Sequence, residues 1–275
     1  MEKDIDAFLH YLAEEKGYSQ NTLAAYRNDL GQLLTFIRAE KAKGTIRPSE
    51  GLVRSYLLNL SEKGYSTATV ARKVASAKSL FKFMVDHGRL RENPTQNLIS
   101  PQVRKHPPKL VSSSEYQRLL AEPAKLSTPE AKRDRVMLEL LYATGLRVSE
   151  LVSLNVQDVD FQHSCVRCSG RRIPLDPYVA QLVADFVKDA RFDLLYDEGE
   201  GTLFLNRRGK RLTRQGFWQI VTNYARKASL SARVTPHALR HSFAVHKLRA
   251  GADLQSVQQL LGHAYVSSTR IYKQV

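Results

Sequence analysis

The sequence predicts a mainly α-helical protein in two domains, with a small β-sheet confined to the second. Four segments before residue 100 repeat apolar residues at helical spacing, a proline-rich stretch without period follows them, and brief strand-like runs occur only between Val156 and Leu175. At 275 residues the chain exceeds a typical single domain, which makes two the default expectation.

The first helix carries Ile5, Phe8, Leu9 and Leu12, and the second starts at Ser19 and carries Leu23, Tyr26, Leu30, Leu33, Leu34 and Ile37. The third runs from about Ser49 with Leu52, Val53, Tyr56, Leu57 and Leu60; the fourth runs from about Ser66 with Val70, Val74, Leu80 and Met84. Gly17-Tyr18-Ser19 and Gly64-Tyr65-Ser66 introduce the second and fourth helices alike, each serine offering its oxygen to free N–H groups. On the fourth helix Arg72, Lys73, Lys78 and Lys82 interleave with the apolar stripe, and no acidic residue lies between Ala68 and Val85. These four are candidate contacts to DNA phosphates, with an ordinary solvated face as the other reading.

From Glu92 to Leu110 the sequence ENPTQNLISPQVRKHPPKL has no period, which places a linker at 101–110 between a domain at 1–100 and another at 111–275. The second domain opens on an N-capped helix at Ser112 and continues through the apolar helix RDRVMLELLYATG, ending at Gly145. Val156–Val159, Cys165–Cys168 and Arg172–Leu175 read as brief strands, the last two joined across Ser169-Gly170 in a tight hairpin. Helical patterns resume at Tyr178 and dominate to the end.

With 42 Lys+Arg against 27 Asp+Glu, a formal net charge of +15 and a pI near 9.9, the favoured partner is a polyanion. A basic enzyme of another kind or a ribosome-associated protein shares that charge. Cys165 and Cys168 are too few for a disulfide framework or a four-cysteine zinc site, and CVRCSG lacks a thioredoxin-like setting. No run approaches a membrane span and the first residues are charged and amphipathic, so a soluble, cytoplasmic protein without a membrane partner is expected.

Three groupings in the second domain carry chemistry: TGLRVSE from Thr144 to Glu150, PHALRHS from Pro236 to Ser242, and LGHAYVSSTRIY from Leu261 to Tyr272. Singly, each has an ordinary structural reading. Together, in this order and in a basic chain, they resemble the tyrosine recombinase (phage integrase) family, within it the Xer type. The resemblance spans nearly the whole chain, including GYSQNTLAAYRNDL at Gly17–Leu30. It implies a helical core-binding domain followed by an α+β catalytic domain. It also implies site-specific cleavage and rejoining of duplex DNA through a 3′-phosphotyrosyl intermediate, with no cofactor or metal.

Carried over by position, Arg147 matches the family's first arginine and Glu150 its accompanying acid; His237 and Arg240 match the H-x-x-R pair, His263 the following histidine, and Tyr272 the nucleophile. The chemistry fits these types. A phenol with a pKa near 10 needs a base or cationic neighbours, for which His237 is the candidate. Arg147 and Arg240 supply planar, permanently charged clamps for a phosphate in its transition state. His263 adds a hydrogen bond, and Glu150 orients Arg147 or His237. The resemblance further implies an inverted-repeat site and a homo- or hetero-tetramer, with a paralogue as one choice of partner. It leaves dimer resolution and mobile-element integration both open.

Two departures stand out. The family's hairpin carries a lysine that protonates the departing 5′-oxygen, whereas Cys168-Ser169-Gly170-Arg171-Arg172-Ile173-Pro174-Leu175 has none. Arg171, Arg172 and Lys210 are the nearby basic choices, and a guanidinium is a reluctant proton donor. A binding-only protein of the same fold is therefore the alternative function. The second departure is that only three residues follow Tyr272, where the family usually continues into a helix that docks on the neighbouring protomer.

Overall fold

The computed structural model describes residues 1–42, 49–103, 110–230, 234–263 and 265–274. The chain divides into two compact units, Met1–Lys105 and His106–Val275. The expected linker at 101–110 falls mostly on 104–109, outside the described residues.

The first unit holds helices α1 (Glu2–Glu14), α2 (Gln20–Ala42), α3 (Glu50–Glu62) and α4 (Thr67–Asp86). Ser19, Ser49 and Ser66 begin the last three, each Oγ accepting from a backbone N–H three residues on, at 3.3 Å. Leu30, Leu80 and Phe81 are wholly buried where the apolar stripes meet, with Phe8, Val53, Tyr56 and Val74 around them.

Within that core lies a polar cluster that the stripe pattern did not predict. Asp29 on α2 is buried; it accepts from the Lys73 amine at 3.0 Å and the Ser76 hydroxyl at 3.1 Å, and pairs with Arg72 at the rim. The Lys73 side chain is only 2% exposed, which removes it from the basic face assigned to it. The missing acid sits across the helix pair rather than along α4, because a buried ammonium must find its counter-charge wherever packing supplies one. Lys82 also has an acidic partner, Asp86 at 3.0 Å, whereas Lys78 is half-buried.

The second unit is built on α6 (Pro129–Thr144), whose Met137, Leu138, Leu140 and Leu141 are fully buried beneath α5 (Ser113–Ala124), α8 (Pro177–Lys188) and α11 (Pro236–Arg249). α7 (Val148–Ser153) follows directly, then a three-stranded antiparallel sheet of β1 (Val159–Asp160), β2 (Cys165–Cys168) and β3 (Arg171–Pro174). Val156–Asp158, expected as strand, forms a short 3₁₀ turn instead, because the Asp158 carboxylate accepts from the Asn155 N–H at 2.8 Å and closes it. The β2–β3 hairpin pairs Cys168 with Arg171 across Ser169 and Gly170, whose φ of 51° and 73° are what a two-residue turn of that twist requires. α9 (Ala190–Asp193), α10 (Arg214–Lys227), α12 (Leu254–Leu261), α13 (Ser267–Arg270) and a 3₁₀ turn at Ile271–Gln274 complete the unit. No described helix is long and apolar enough to cross a membrane.

Candidate active site

Helix ends organise the site. α6 and α12 each terminate on a left-handed glycine, Gly145 at φ 62° and Gly262 at φ 61°, which leaves their last carbonyls without intrahelical partners. Arginines fill those vacancies. Arg240, projecting from the buried middle of α11, donates to the Gly145 carbonyl and, at 2.7 Å, to the Leu261 carbonyl. Arg147 donates to the Gly262 carbonyl at 2.7 Å, and Arg171 to the Leu260 carbonyl. Three guanidiniums thus meet the end of one helix, where the macrodipole also favours positive charge.

Glu150 balances them. At the third position of α7 it reaches back to the Arg147 N–H at 2.7 Å, which fixes its carboxylate under the turn. From there it pairs with Arg147 at 3.2 Å and with Arg171, and lies 3.9 Å from Arg240. Burial pushes its carboxyl up, but the Arg147 N–H and the arginine charges outweigh it and hold the acid below its usual range. Arg240 is the opposite case: burial first, then the Arg147 charge, lower its pKa to about 10, still ionised at neutral pH.

His263 follows Gly262 and accepts from Arg240 at Nε2, 3.2 Å away, so its proton resides on Nδ1 and is donated to the Thr269 hydroxyl at 2.9 Å. Burial and the nearby Arg240 and Arg147 charges drive its pKa down to about 4. Tyr272, in the final 3₁₀ turn, is 4% exposed and packs against Phe243, Val257 and Leu261. Its ring stands 6.4 Å from that of His263, while its hydroxyl bonds Nδ1 of His241 at 2.8 Å. Burial raises the phenol's pKa and Arg240 opposes it, so near neutral pH the hydroxyl keeps its proton.

Six sequence-derived positions were expected to converge, and Arg147, Glu150, Arg240, His263 and Tyr272 do so through the contacts above. His237 is exposed on the same face of α11, its ring 6.4 Å from that of His241. The residues that sequence reasoning passed over are His241, Thr269 and Arg171's tie to Glu150. A signal existed for the first: His237 and His241 are one helical turn apart and share a face, so spacing alone does not choose between them. Of the basic side chains near the missing lysine, Arg171 is held by Glu150 and Leu260, and Arg172 is 65% exposed beside Asp160. Alternation along β3 turns these two to opposite faces.

Comparison with known proteins bears on this arrangement. Residues 109–275 match the Phage integrase family model, and residues 5–88 match the Phage integrase, N-terminal SAM-like domain. A tyrosine recombinase XerC from Roseiflexus sp. (strain RS-1) is 44% identical over 282 residues, covering 100% of this chain and 90% of that protein. A tyrosine recombinase XerD from Oceanobacillus iheyensis is 38% identical, covering 100% and 94%. The fold is similar to that of the Tn1549 transposon integrase solved with circular intermediate DNA, at a TM-score of 0.75 and 20% identity over 98% of this chain and 94% of that one.

Proposed function

The chain belongs to the phage integrase family, as a Xer-type tyrosine recombinase, and from that membership we propose that Tyr272 attacks a DNA backbone phosphate within the arginine cluster of the second unit. The enzyme is a site-specific DNA strand transferase. The observation that carries the residue assignment is the contact chain from Arg147 through Gly262, Arg240 and His263 to the Tyr272 turn: two guanidiniums, an imidazole and a phenol gathered at one helix end.

Attack by the Tyr272 oxygen forms a phosphotyrosyl bond at the 3′ side and releases a 5′-oxygen. The link conserves the ester for religation. Arg147, partly exposed, and Arg240 neutralise charge accumulating on the non-bridging oxygens. His237, exposed on α11 three residues before Arg240, is open to a further phosphate contact. Duplex DNA with an inverted-repeat site is the substrate, and cleavage of paired sites calls for a tetramer of this chain or of this chain with a paralogue. With Arg171 engaged by Glu150 and the Leu260 carbonyl and no hairpin lysine, the departing oxygen takes its proton from water or from the exposed Lys210.

The test is denaturing electrophoresis after incubation with a DNA site carrying a 5′-bridging phosphorothiolate, whose sulfur leaves with little need of a proton. A covalent protein–DNA band absent in Tyr272→Phe is expected. No band on a site that the protein demonstrably binds would transfer the reading to a binding-only protein. The relatives at 44% and 38% identity, both named recombinases, weigh against that alternative.

A further inference from the structure

The nucleophile's hydroxyl is hydrogen-bonded to a histidine other than that of the H-x-x-R pair. The Tyr272 hydroxyl bonds Nδ1 of His241, the residue after Arg240, at 2.8 Å, and the two rings pack at 5.4 Å between centroids with an interplanar angle of 51°. His237, one turn earlier, is exposed, and its ring stands 6.4 Å from that of His241. From this geometry we infer that His241 is a catalytic residue, the base that takes the Tyr272 proton during strand cleavage and returns it during religation. The inference rests on Tyr272 being the nucleophile.

Tautomer and charge agree with the geometry. In the tautomer of neutral His241 that carries its hydrogen on Nε2, Nδ1 accepts, the phenol donates and the ring is free to receive. The groups facing His241 are His237 and Arg240 on its own helix, Tyr272 from the terminal turn, and His263 beyond α12. Burial, then the His237 and Arg240 charges, shift its pKa below the ordinary 6.5, so the ring is neutral at physiological pH. A buried phenol whose pKa is raised is the partner that most needs such a base.

The step balances without a cofactor. The Tyr272 O–H bond breaks with its proton moving to His241 Nδ1, the Tyr272 O–P bond forms, and the P–O5′ bond breaks with the 5′-oxygen taking a proton from water. That water is left as hydroxide; in religation the 5′-hydroxyl attacks and gives its proton to hydroxide, the O–P bond to tyrosine breaks, and the imidazolium reprotonates the Tyr272 oxygen.

Single-turnover adduct formation on phosphorothiolate DNA, followed from pH 5 to 9, separates this from its rivals. The sulfur leaving group removes leaving-group protonation from the measured rate. Wild type should rise with pH and level off once His241 is neutral. His241→Ala should be slower by about 10²-fold, within the span of general-base effects, and should climb with hydroxide instead of levelling. His241→Asn places an amide near Nδ1 that can hold the hydroxyl but cannot take its proton, so it should be equally slow. It also carries the test if the alanine variant does not fold, and DNA affinity reports the fold of each. His237→Ala should keep the low-pH limb. A His241→Asn enzyme with wild-type rate and profile would reduce His241 to a positioning residue and overturn the inference, as would a limb lost in His237→Ala but kept in both His241 variants. Absence of any adduct from wild type would overturn the recombinase reading itself.

Discussion

Arg240 does two things with one side chain. Its guanidinium closes two helix ends by bonding the Gly145 and Leu261 carbonyls, and the same group, 6% exposed, brings permanent charge into the site. Lysine could satisfy only part of this, since a point ammonium has no fixed fork. Arg240→Lys should therefore cut single-turnover cleavage by about 10²–10³-fold and lower unfolding stability by about 1–3 kcal/mol in urea titrations. His263 carries a pH consequence. Its pKa falls from 6.5 to about 4 on folding, so the unfolded chain binds that proton first as pH drops. Its share of stability is complete above pH 6.5 and drains between 6.5 and about 4. Melting temperatures at pH 7 and pH 5 should lie closer together in His263→Gln than in wild type.

At the level of elements, the β2–β3 hairpin and the end of α12 act as one support. A β-carbon on Gly262 would stand 2.8 Å from the Arg171 guanidinium carbon, and its φ of 61° is one that side chains rarely adopt. Gly262→Ala should cost about 1–3 kcal/mol and reduce cleavage, because it displaces Arg171 from Glu150. Arg171 itself gives a cleaner separation. If it positions Glu150, Arg171→Ala should slow adduct formation equally on ordinary and sulfur-substituted DNA; rescue by sulfur alone would make it the proton donor to the 5′-oxygen. Helix starts were legible in sequence because serine capping is local, as at Ser19, Ser49 and Ser66. The turn at Val156–Asp158 was not, because a short segment bounded by Val156 and Val159 reads alike whether the backbone extends or is closed by an aspartate.

Across the whole molecule, a net charge of +15 makes DNA affinity strongly dependent on salt. The contributions are unequal. Lys78→Ala should lower the slope of log affinity against log salt by up to about one unit if Lys78 meets a phosphate. Lys73→Ala should leave that slope unchanged and instead destabilise the first unit by about 3–5 kcal/mol, since it strips the buried Asp29 of an ammonium. A reduced slope with intact stability would return Lys73 to the DNA-facing set.

What sequence determined by itself was periodic or local: amphipathic helices, serine caps, the glycine-bearing hairpin, and the ordered Arg, His-x-x-Arg, His and Tyr positions that carry the family resemblance. These properties repeat along one strand of chain, so neighbouring letters suffice to read them. Only the tertiary structure decided which of two histidines on one face of α11 meets Tyr272, where Lys73 finds its counter-charge, and how Arg147, Arg171 and Arg240 share the carbonyls of one helix end. The physical reason is the same in each case. A buried charge, a free carbonyl or a hydroxyl proton must be matched in space, and the matching group comes from a distant part of the chain whose approach no local pattern encodes.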